Sequence, residues 1–289
     1  MNIAIFSHCT IDSIALGNSI VEHPGGPACY CSITAKNLKF DCKLYTKFGN
    51  DFPKDILIKN KIQFENFLSE KPTTRFKITI NGSDRTLALS NTCDEIPYST
   101  INADGVIISP VYHELTNDVY EKIKSNSNFT FLDPQGFLRK TEPDQKIKLE
   151  KINLNLSNIS AIKTSLDEIH CLTDKTGIDA MKHLQNKGVE NVIVTNKREI
   201  SLLVKDKLYS ILLPNLELSD TTGIGDIFSA TFCCTMLKEK DFFWALCFAG
   251  GAAQAAIESK KIGLDKIPPK GAIETNAAYF YNQVKFKQV

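Results

Sequence analysis

The segment from Asp220 to Asp226 reads Asp-Thr-Thr-Gly-Ile-Gly-Asp and leads directly into an apolar stretch that predicts a helix over residues 227–237. Gly223 and Gly225 carry no Cβ atom, so backbone amides can turn inward at these positions. A helix N-terminus adds unpaired N–H groups and the positive end of the helix dipole. The segment therefore predicts an anion site suited to a phosphate.

Asp226 would lie in the first turn of that helix, where a bound phosphate would repel its carboxylate. The position makes sense for a general base that removes a proton from an attacking hydroxyl. Two other interpretations treat Asp226 as a helix-stabilising acid beside a turn at Gly225, or Gly-Ile-Gly as a dinucleotide fingerprint. The fingerprint does not fit, because Phe228 occupies the third glycine position and no strand leads directly in. The first alternative stays open on the pattern alone.

Elements that could position these residues alternate along the chain between apolar runs typical of buried strands and helix-like stretches. The strand candidates are residues 3–6, 42–48, 106–108, 129–132, 159–162 and 189–194. The helix candidates are residues 32–38, 117–124 and 177–187, and the chain from Gly225 onward is predicted to be largely helical. Strands separated by helices indicate parallel βαβ units, and hence an α/β fold with a mostly parallel sheet covered on both faces.

One segment breaks this alternation. Residues 75–80 and 85–89 both have period two, and Asn81-Gly82-Ser83-Asp84 between them is strong turn chemistry, so we expect a β-hairpin. The apolar face of such a hairpin must be buried against another part of the protein or over a cleft. The hairpin could be a lid over a ligand cleft or an ordinary antiparallel sheet edge, and periodicity does not choose between the two.

Composition excludes several classes of protein. The chain has 289 residues, 43% of them hydrophobic and 23% charged, which are globular values. A net charge of +1 provides no overall basic field for nucleic acid or acidic membrane. The longest apolar stretch, residues 242–257, is shorter than the ~18–20 residues that a membrane span needs, so a buried helix is expected there. No targeting segment is visible at the N-terminus, which favours a cytoplasmic location.

Cysteine and motif spacing exclude further classes. The nine cysteines are odd in number and form no Cys-x-x-Cys, so reduced core thiols are expected. The five histidines show no metal-ligand spacing. Neither a P-loop nor a Gly-x-Ser-x-Gly elbow is present in the sequence.

The 220–226 segment closely resembles the Asp-Thr-Thr-Gly-Ala-Gly-Asp motif of the ribokinase/PfkB family of carbohydrate kinases, and only Ile224 departs from it. Gly25-Gly26, followed by a helix and a strand ending at Gly49-Asn50-Asp51, resembles the family's N-terminal sugar-binding motif. Asp12 matches the family's substrate-binding Asp. Residues 165–168 resemble its Asn-x-x-Glu motif, with Ser in place of Asn.

The resemblance covers essentially the whole chain and implies a three-layer ribokinase-like fold. It implies a single domain over residues 1–289, with a small β lid formed by about 12–24 and 68–92. It further implies ATP and Mg²⁺ as cofactors, and it allows a monovalent cation near Asp220. The implied roles are a catalytic base at Asp226; anion-hole amides at Gly223, Ile224 and Gly225; substrate contacts at Asp12, Gly25 and Gly26; Mg²⁺ at Glu168; and cofactor contacts at Thr195, Thr222, Gly223, Gly225 and Gly251.

The sequence also departs from the family. Tyr30 stands where the family commonly has Asn, and Lys39, Lys197 and Ile200 stand where it has glycine. An aromatic residue at position 30, the Lys-x-Ser-x-x-Glu form of residues 163–168, and the Asp-x-Gln…Arg pattern of residues 133–139 resemble the inositol kinases of this family. This branch implies substrate contacts at Tyr30, Gln135 and Arg139. Arg139 would meet the transferring phosphate, or else it is a surface residue at a helix start.

The leading hypothesis is therefore ATP-dependent phosphorylation of a hydroxyl on a small sugar or cyclic polyol, with myo-inositol as the first candidate. A ribose or nucleoside kinase on the same scaffold is the alternative within the enzyme class. A catalytically silent sugar-binding protein is the alternative from another class. The expected partner is the small-molecule sugar or polyol, without nucleic acid or membrane, and the expected state is a monomer or homodimer.

Overall fold

The strands alternate with helices over most of the chain, as the sequence predicts. The computed structural model describes residues 1–16, 19–81, 84–214 and 220–289. Within these residues the strands are β1 (Asn2–Phe6), β2 (Thr10–Leu16), β3 (Ser19–Gly25), β4 (Asp41–Tyr45), β5 (Gln63–Phe64), β6 (Thr74–Asn81), β7 (Asp84–Asn91), β8 (Gly105–Ile108), β9 (Thr130–Leu132), β10 (Arg139–Thr141), β11 (Ile147–Leu149), β12 (Ile159–Ser165), β13 (Val189–Asn196), β14 (Glu199–Val204), β15 (Lys207–Leu212) and β16 (Lys285–Gln288). The helices there are α1 (Gly26–Asn37), α2 (Asp55–Lys59), α3 (Asn117–Ser125), α4 (Gln135–Leu138), α5 (Leu166–Thr173), α6 (Gly177–Asn186), α7 (Ile224–Glu239), α8 (Phe242–Glu258) and α9 (Lys270–Tyr281).

A large sheet runs through the molecule in the order β16-β15-β14-β13-β12-β9-β8-β1-β4-β5. Neighbouring strands from β13 to β5 are parallel. The strands β14, β15 and β16 extend one edge in antiparallel pairing. The prediction of a mostly parallel sheet is therefore confirmed.

Helices cover both faces of this sheet. In β1, Ile3 and Ile5 belong to one buried cluster, which the apolar residues of α1, α7, α8 and α9 share. Ala4 and Phe6 belong to a second cluster, with residues of α3, α5 and α6. Because side chains alternate across a strand, a strand buried on both faces reads as a continuous apolar run. This confirms the three-layer α/β architecture.

A second, four-stranded sheet has the order β3-β2-β6-β7. The predicted hairpin is present as the antiparallel pair β6 and β7, although Gly82 and Ser83 of its turn lie outside the described residues. The strands β2 and β6 are parallel and join the hairpin to the β2–β3 pair. These strands lie close to the ranges predicted for a lid, residues 12–24 and 68–92. That the sheet acts as a lid stays a prediction.

Several boundaries differ from the sequence-based expectation. The helix α1 begins at Gly26, six residues before the expected start, because Pro27 suits a first helical turn. The strand β4 ends at Tyr45, and Phe48 makes only an isolated bridge to Leu68. The apolar stretch near the C-terminus is the largely buried helix α8. In the described part of the chain, no helix has the length and apolar character that a membrane crossing requires.

The cysteines behave as small core residues. All nine have unpaired thiols, and Cys171 alone among them is not classed as buried. Burial raises the pKa of Cys42 to about 12, which keeps that thiol protonated at neutral pH.

Candidate active site

The predicted anion site lies in residues 220–226, here called the anion loop, which lead into the first turn of α7. Gly223 is its N-cap and has φ of 79°, a left-handed conformation that favours glycine. A Cβ atom at this position would overlap the ring of Tyr30. The amide of Ile224 donates to the carbonyl of Thr221 at 3.3 Å, whereas the amides of Gly223 and Gly225 meet no acceptor within the described residues. Of the three predicted anion-hole amides, the one of Ile224 would therefore have to exchange a protein acceptor for the anion.

A second helix N-terminus approaches the same place. Gly25 is the N-cap of α1, and a Cβ atom there would overlap the carboxylate of Asp12. Asp12 lies on β2 and is only 5% exposed. The Gly25-Gly26 turn thus lets a buried carboxylate lie directly against the backbone at the start of α1. This is the arrangement that the resemblance implies for holding substrate hydroxyls.

A cleft of about 170 Å³ joins the two helix N-termini. It lies between the four-stranded sheet and the ends of the parallel strands. The residues that line it are Thr10, Asp12, Gly26, Pro27, Tyr30, Phe76, Ile78, Leu87, Val111, Gln135, Arg139, Lys163, Thr221, Thr222, Gly223, Gly225 and Asp226. Most of the predicted substrate and catalytic residues, which are far apart in sequence, therefore share one cavity.

Two buried hydroxyl groups at the cleft have no partner in the described protein. The Oγ1 atoms of Thr10 and Thr222 are both enclosed and make no hydrogen bond there. A buried hydroxyl without a partner costs free energy unless a ligand or water supplies one. The pair therefore fits a ligand rich in hydroxyl or phosphate oxygens.

Lys163 is a cleft residue to which the sequence gave no role of its own. Its Nζ donates to Asp133 Oδ2 at 2.5 Å, and a Cβ atom at Gly225 would lie 2.9 Å from that Nζ. Burial lowers the pKa of Lys163, but the carboxylates of Asp133, Glu168 and Asp226 outweigh burial and raise it. The ammonium is thus a fixed positive charge beside the anion loop. A lysine directly after the apolar run at the start of the buried strand β12 was the available signal.

Arg139 and Gln135 form a wall of the cleft together. Arg139 Nη2 donates to Gln135 Oε1 at 2.6 Å, and its Nη1 donates to the Val111 carbonyl at 2.9 Å. The guanidinium lies 5.5 Å from the ring centroid of Phe76 on β6, a distance typical of a cation–π contact. Arg139, the first residue of β10, is therefore half-buried against Phe76 and Val111, which argues against the interpretation as a surface arginine.

Tyr30 is almost fully enclosed beneath the anion loop. It is 1% exposed and lines the cleft. Burial raises its pKa well above the ordinary value, and the charges of Asp12, Asp220 and Asp226 add to the effect. The phenol is therefore neutral at any pH at which the protein would work.

Glu168 is the residue predicted to help hold Mg²⁺. Its Oε2 accepts from the amide of Ser165 at 2.7 Å, and the Ser165 hydroxyl accepts from the Glu168 amide in return, which makes a capping box at α5. The described residues contain no group of three or more His, Cys, Asp or Glu side chains that could hold a metal. Mg²⁺ commonly uses one or two carboxylates, waters and substrate phosphates, so the second oxygen of Glu168 fits such a site.

Burial also raises the pKa of Glu168, and Asp133 raises it further, while Lys163 opposes both. A cation would favour the ionised form, because an opposite charge nearby lowers a carboxyl pKa. The electrostatics at this position therefore suit a bound cation.

Two residues predicted to contact the cofactor lie away from this cleft. The hydroxyl of Thr195 donates to the Thr164 carbonyl at 3.4 Å, at the end of β13. Gly251 lies inside α8, where a Cβ atom would come within 2.7 Å of the Ile273 carbonyl on α9. Helix packing alone accounts for that glycine. The cofactor role of both residues stays a prediction.

Asp220 begins the anion loop and is bound to a distant lysine. Lys266 Nζ donates to Asp220 Oδ2 at 2.5 Å, and the Thr222 amide donates to Asp220 Oδ1 at 2.8 Å. Burial alone would raise the pKa of Asp220, but Lys266 and the Thr222 amide hold it below the ordinary value. The sequence indicated no partner for Asp220 within the protein.

The fold defines a ribokinase-like protein, and the cleft lies at the predicted anion loop. Residues 2–268 match the model of the pfkB family of carbohydrate kinases, and the chain belongs to this family. A comparison with curated protein sequences finds no match.

Similar solved structures support the same fold. A pyrophosphate-dependent kinase of the ribokinase family, complexed with a pyrophosphate analogue and myo-inositol, is 20% identical with a TM-score of 0.82, over 94% of this chain and 99% of that one. The ribokinase of Thermotoga maritima is 20% identical with a TM-score of 0.76, over 96% and 99%. The ribokinase of Arabidopsis thaliana, complexed with ribose and ATP, is 16% identical with a TM-score of 0.75, over 96% and 98%.

Proposed function

We propose that this protein transfers the γ-phosphoryl group of ATP to a hydroxyl of a small sugar or cyclic polyol, with myo-inositol as the first candidate acceptor. The observation that carries the proposal is the shared cleft. Asp226 lies there with the open amides of the anion loop and with the buried carboxylate of Asp12.

The acceptor is held by its hydroxyl groups. The Asp12 carboxylate accepts hydrogen bonds from them, and the hydroxyl of Thr10 is a further partner. Asp226 then takes the proton of the reacting hydroxyl while the hydroxyl oxygen attacks the γ-phosphorus. The bond between the γ-phosphorus and the β,γ-bridging oxygen breaks, and ADP leaves with that oxygen. Asp226 lines the cleft from the first turn of α7, and Asp12 lines it from β2, against the start of α1, so the acceptor would lie between the two carboxylates.

Charge on the transferring group is offset by groups that are already in place. The amides of Gly223 and Gly225 and the α7 dipole face the phosphoryl oxygens. The ammonium of Lys163, fixed by Asp133, adds a positive charge at Gly225. Glu168 would hold Mg²⁺ through its Oε1 or through water, and the ion supplies further positive charge to the phosphate oxygens when bound.

The size of the cleft favours a small acceptor. At about 170 Å³ it lies below the ~300–1,000 Å³ typical of pockets for drug-sized ligands. Tyr30 presents an aromatic ring in place of the Asn common in the family, which suits the C–H face of a cyclic polyol. The structurally similar kinase complexed with myo-inositol supports the same choice. A ribose or nucleoside acceptor remains the alternative.

Pyrophosphate is a second candidate donor. Lys163 adds a compact positive charge beside the anion loop, which would help a donor that binds through its phosphates alone. The structurally similar kinase complexed with a pyrophosphate analogue points in the same direction. The two donors predict different products, ADP or inorganic phosphate.

The test is a matrix of two donors and a panel of acceptors. Mg-ATP and Mg-pyrophosphate would each be incubated with inositols, pentoses, hexoses and nucleosides, and the phosphorylated product would be followed by ³¹P NMR. Asp226→Asn should lower kcat by about 10²–10⁴-fold, the usual contribution of a general base. Asp179→Asn is the matched control, because Asp179 is an exposed acid in the first turn of α6.

Wild-type turnover by Asp226→Asn would disprove the mechanism. Binding of a panel sugar by calorimetry without any turnover would instead favour the catalytically silent sugar-binding protein.

A further inference from the structure

Lys266 carries a fully enclosed positive charge directly beneath the anion loop. Its side chain is 0% exposed. Among the described residues, its Nζ donates to three oxygens, which are Asp220 Oδ2 at 2.5 Å, the Asp220 carbonyl at 2.9 Å and the Thr222 carbonyl at 2.8 Å. All three acceptors belong to the segment that leads into Gly223, so one distant side chain ties together the start of the loop.

These oxygens form a small cage suited to a single positive charge. Two backbone carbonyls and a carboxylate are ligands that bind an alkali ion as readily as an ammonium group. The cage is closed from another side by the amide of Gly263, which donates to Asp220 Oδ2 at 3.3 Å. The ammonium group of Lys266 has three N–H donors, which match these three acceptors. It already lies among them.

We infer that Lys266 is a positioning residue that supplies the anion loop with a covalently attached monovalent cation, so that loop order and phosphate binding need neither K⁺ nor Na⁺. This reverses the expectation of a monovalent cation near Asp220, because the oxygens that would hold it are occupied by Lys266. The part of the inference that concerns catalysis rests on the proposed function.

The loop depends on this charge for its geometry. Asp220 balances the charge of Lys266, so the pair adds little net attraction for phosphate. Its effect is to fix the Asp220 and Thr222 carbonyls, and with the Thr222 carbonyl the direction of the Gly223 amide, which belongs to the same peptide group. Preorganised donors of this kind bind an anion without paying for reorganisation.

The first experiment uses the wild-type protein prepared with tetramethylammonium as the only cation. Tm and the affinity for pyrophosphate, measured by calorimetry, would be compared in tetramethylammonium chloride, KCl and NaCl at equal ionic strength. We expect the three Tm values to agree within about 1 °C and the three affinities for pyrophosphate to agree within about twofold. A rise of about 2 °C or more in Tm, or of about tenfold in affinity, with either alkali ion would overturn the inference.

The second experiment removes the built-in cation. Lys266→Ala leaves the three oxygens around an empty space that K⁺ or NH₄⁺ can enter and tetramethylammonium cannot. We expect a lower Tm and at least about tenfold weaker pyrophosphate binding, both restored in part by K⁺ or NH₄⁺. In Lys266→Met the methionine side chain fills the space, so K⁺ or NH₄⁺ should restore neither Tm nor pyrophosphate binding. A loss in Lys266→Ala that no small cation restores would mean that the lysine is only structural, and the inference would fail.

A double variant without the two buried charges tests the inference even if the single variants of Lys266 do not fold. Asp220→Asn combined with Lys266→Met removes both charges, a change that proteins often tolerate. This double variant should bind pyrophosphate about tenfold more weakly, with no response to K⁺. Wild-type affinity in it would overturn the inference.

Lys124→Ala is the matched control for loss of a buried lysine. Lys124 is 5% exposed on α3, where its Nζ donates to the Asn155 carbonyl at 3.0 Å, away from the cleft. Its substitution should lower Tm and leave pyrophosphate affinity unchanged. Tm and pyrophosphate binding do not require turnover. If they behave as expected but no acceptor is phosphorylated, the proposed function fails and the role of Lys266 stands.

Discussion

Six lysines of the described residues have the left-handed backbone that favours glycine, and Lys39 and Lys197 are two of them. Lys39 has φ of 70° and Lys197 has φ of 51°, and both stand where the family commonly has glycine. At both positions the backbone is left-handed although the residue carries a side chain. The turn after β13 thus has a glycine-like conformation at Lys197.

Lys39→Gly should raise the free energy of unfolding by about 0.5–1 kcal/mol. The left-handed conformation costs a residue with a side chain roughly 1–2 kcal/mol, and glycine returns roughly 0.5–1 kcal/mol of that as unfolded-state entropy. Urea denaturation would measure the difference. Lys182→Gly, in the interior of α6, is the control and should lower stability by about 1 kcal/mol. A loss of similar size in Lys39→Gly would contradict the argument.

The sequence identified those site residues that belong to a short, recognisable motif. Gly223, Gly225 and Asp226 stand in one short motif that begins a helix, so their placement followed from helix-capping chemistry. Lys163 and Lys266 could not be placed in this way. Each acts through contacts to distant segments, and Lys266 donates mainly to backbone carbonyls, which no residue type reveals.

At the scale of elements, the helix α5 links stability to the candidate metal residue. Ser165 ends β12 and caps α5, and the third helical residue, Glu168, completes the capping box. The Ser that replaces the Asn of the family motif is an equally good N-cap. The departure from the family motif at this position therefore preserves the local structure.

Ser165→Ala should lower the free energy of unfolding by about 1 kcal/mol, because the Glu168 amide loses its acceptor. It should also raise the Mg²⁺ concentration needed for half-maximal activity, because the first turn of α5 frays without its cap and the backbone amide of residue 165 then orients the Glu168 carboxylate less firmly. Thr116→Ala, at the N-cap of α3, should cost similar stability without any Mg²⁺ effect. Ser165→Asn should behave as wild type. Equal Mg²⁺ dependence in Ser165→Ala and Thr116→Ala would refute the link.

The predictability of each element follows from its pattern. The strands β6 and β7 alternate strictly around strong turn chemistry, and the hairpin prediction was right. The strand β3 contains His23-Pro24-Gly25, which indicates a loop by composition, so only the family resemblance placed a strand there. The strands β14 and β15 follow β13 in antiparallel pairing without any helix between them, so the alternation of strands and helices is lost there.

At the scale of the whole molecule, a buried polar network joins the two sheets. His8 follows β1, and its Nδ1 lies 2.9 Å from the hydroxyl of Thr74 on β6. Its Nε2 lies 2.7 Å from the Asp94 carbonyl, and its amide donates to Glu114 Oε1 at 3.0 Å. Because His8 is only 1% exposed, water cannot replace these contacts. The network therefore fixes the four-stranded sheet to the end of β1.

This network makes the stability of the whole molecule depend on pH. Burial lowers the pKa of His8, and the charge of Lys47 adds to this, while Glu114 and Asp94 oppose it without reversing it. Below the ordinary histidine pKa of about 6.5, the unfolded chain takes up a proton that the folded chain does not. The free energy of unfolding should therefore fall as pH drops from about 7 towards the lowered pKa of the folded state, by at most about 1.4 kcal/mol per pH unit for this one group.

His8→Gln should remove this part of the pH dependence. The variant loses the imidazole contacts and is less stable than wild type at pH about 7.5, but the difference should narrow as pH falls to about 5.5, because only wild type carries the proton-linked penalty. Urea denaturation at several pH values would measure both slopes. His170→Gln, at an exposed position on α5, is the matched control and should keep the wild-type slope. A constant difference between wild type and His8→Gln across this range would show that the network holds the sheets together without sensing protons.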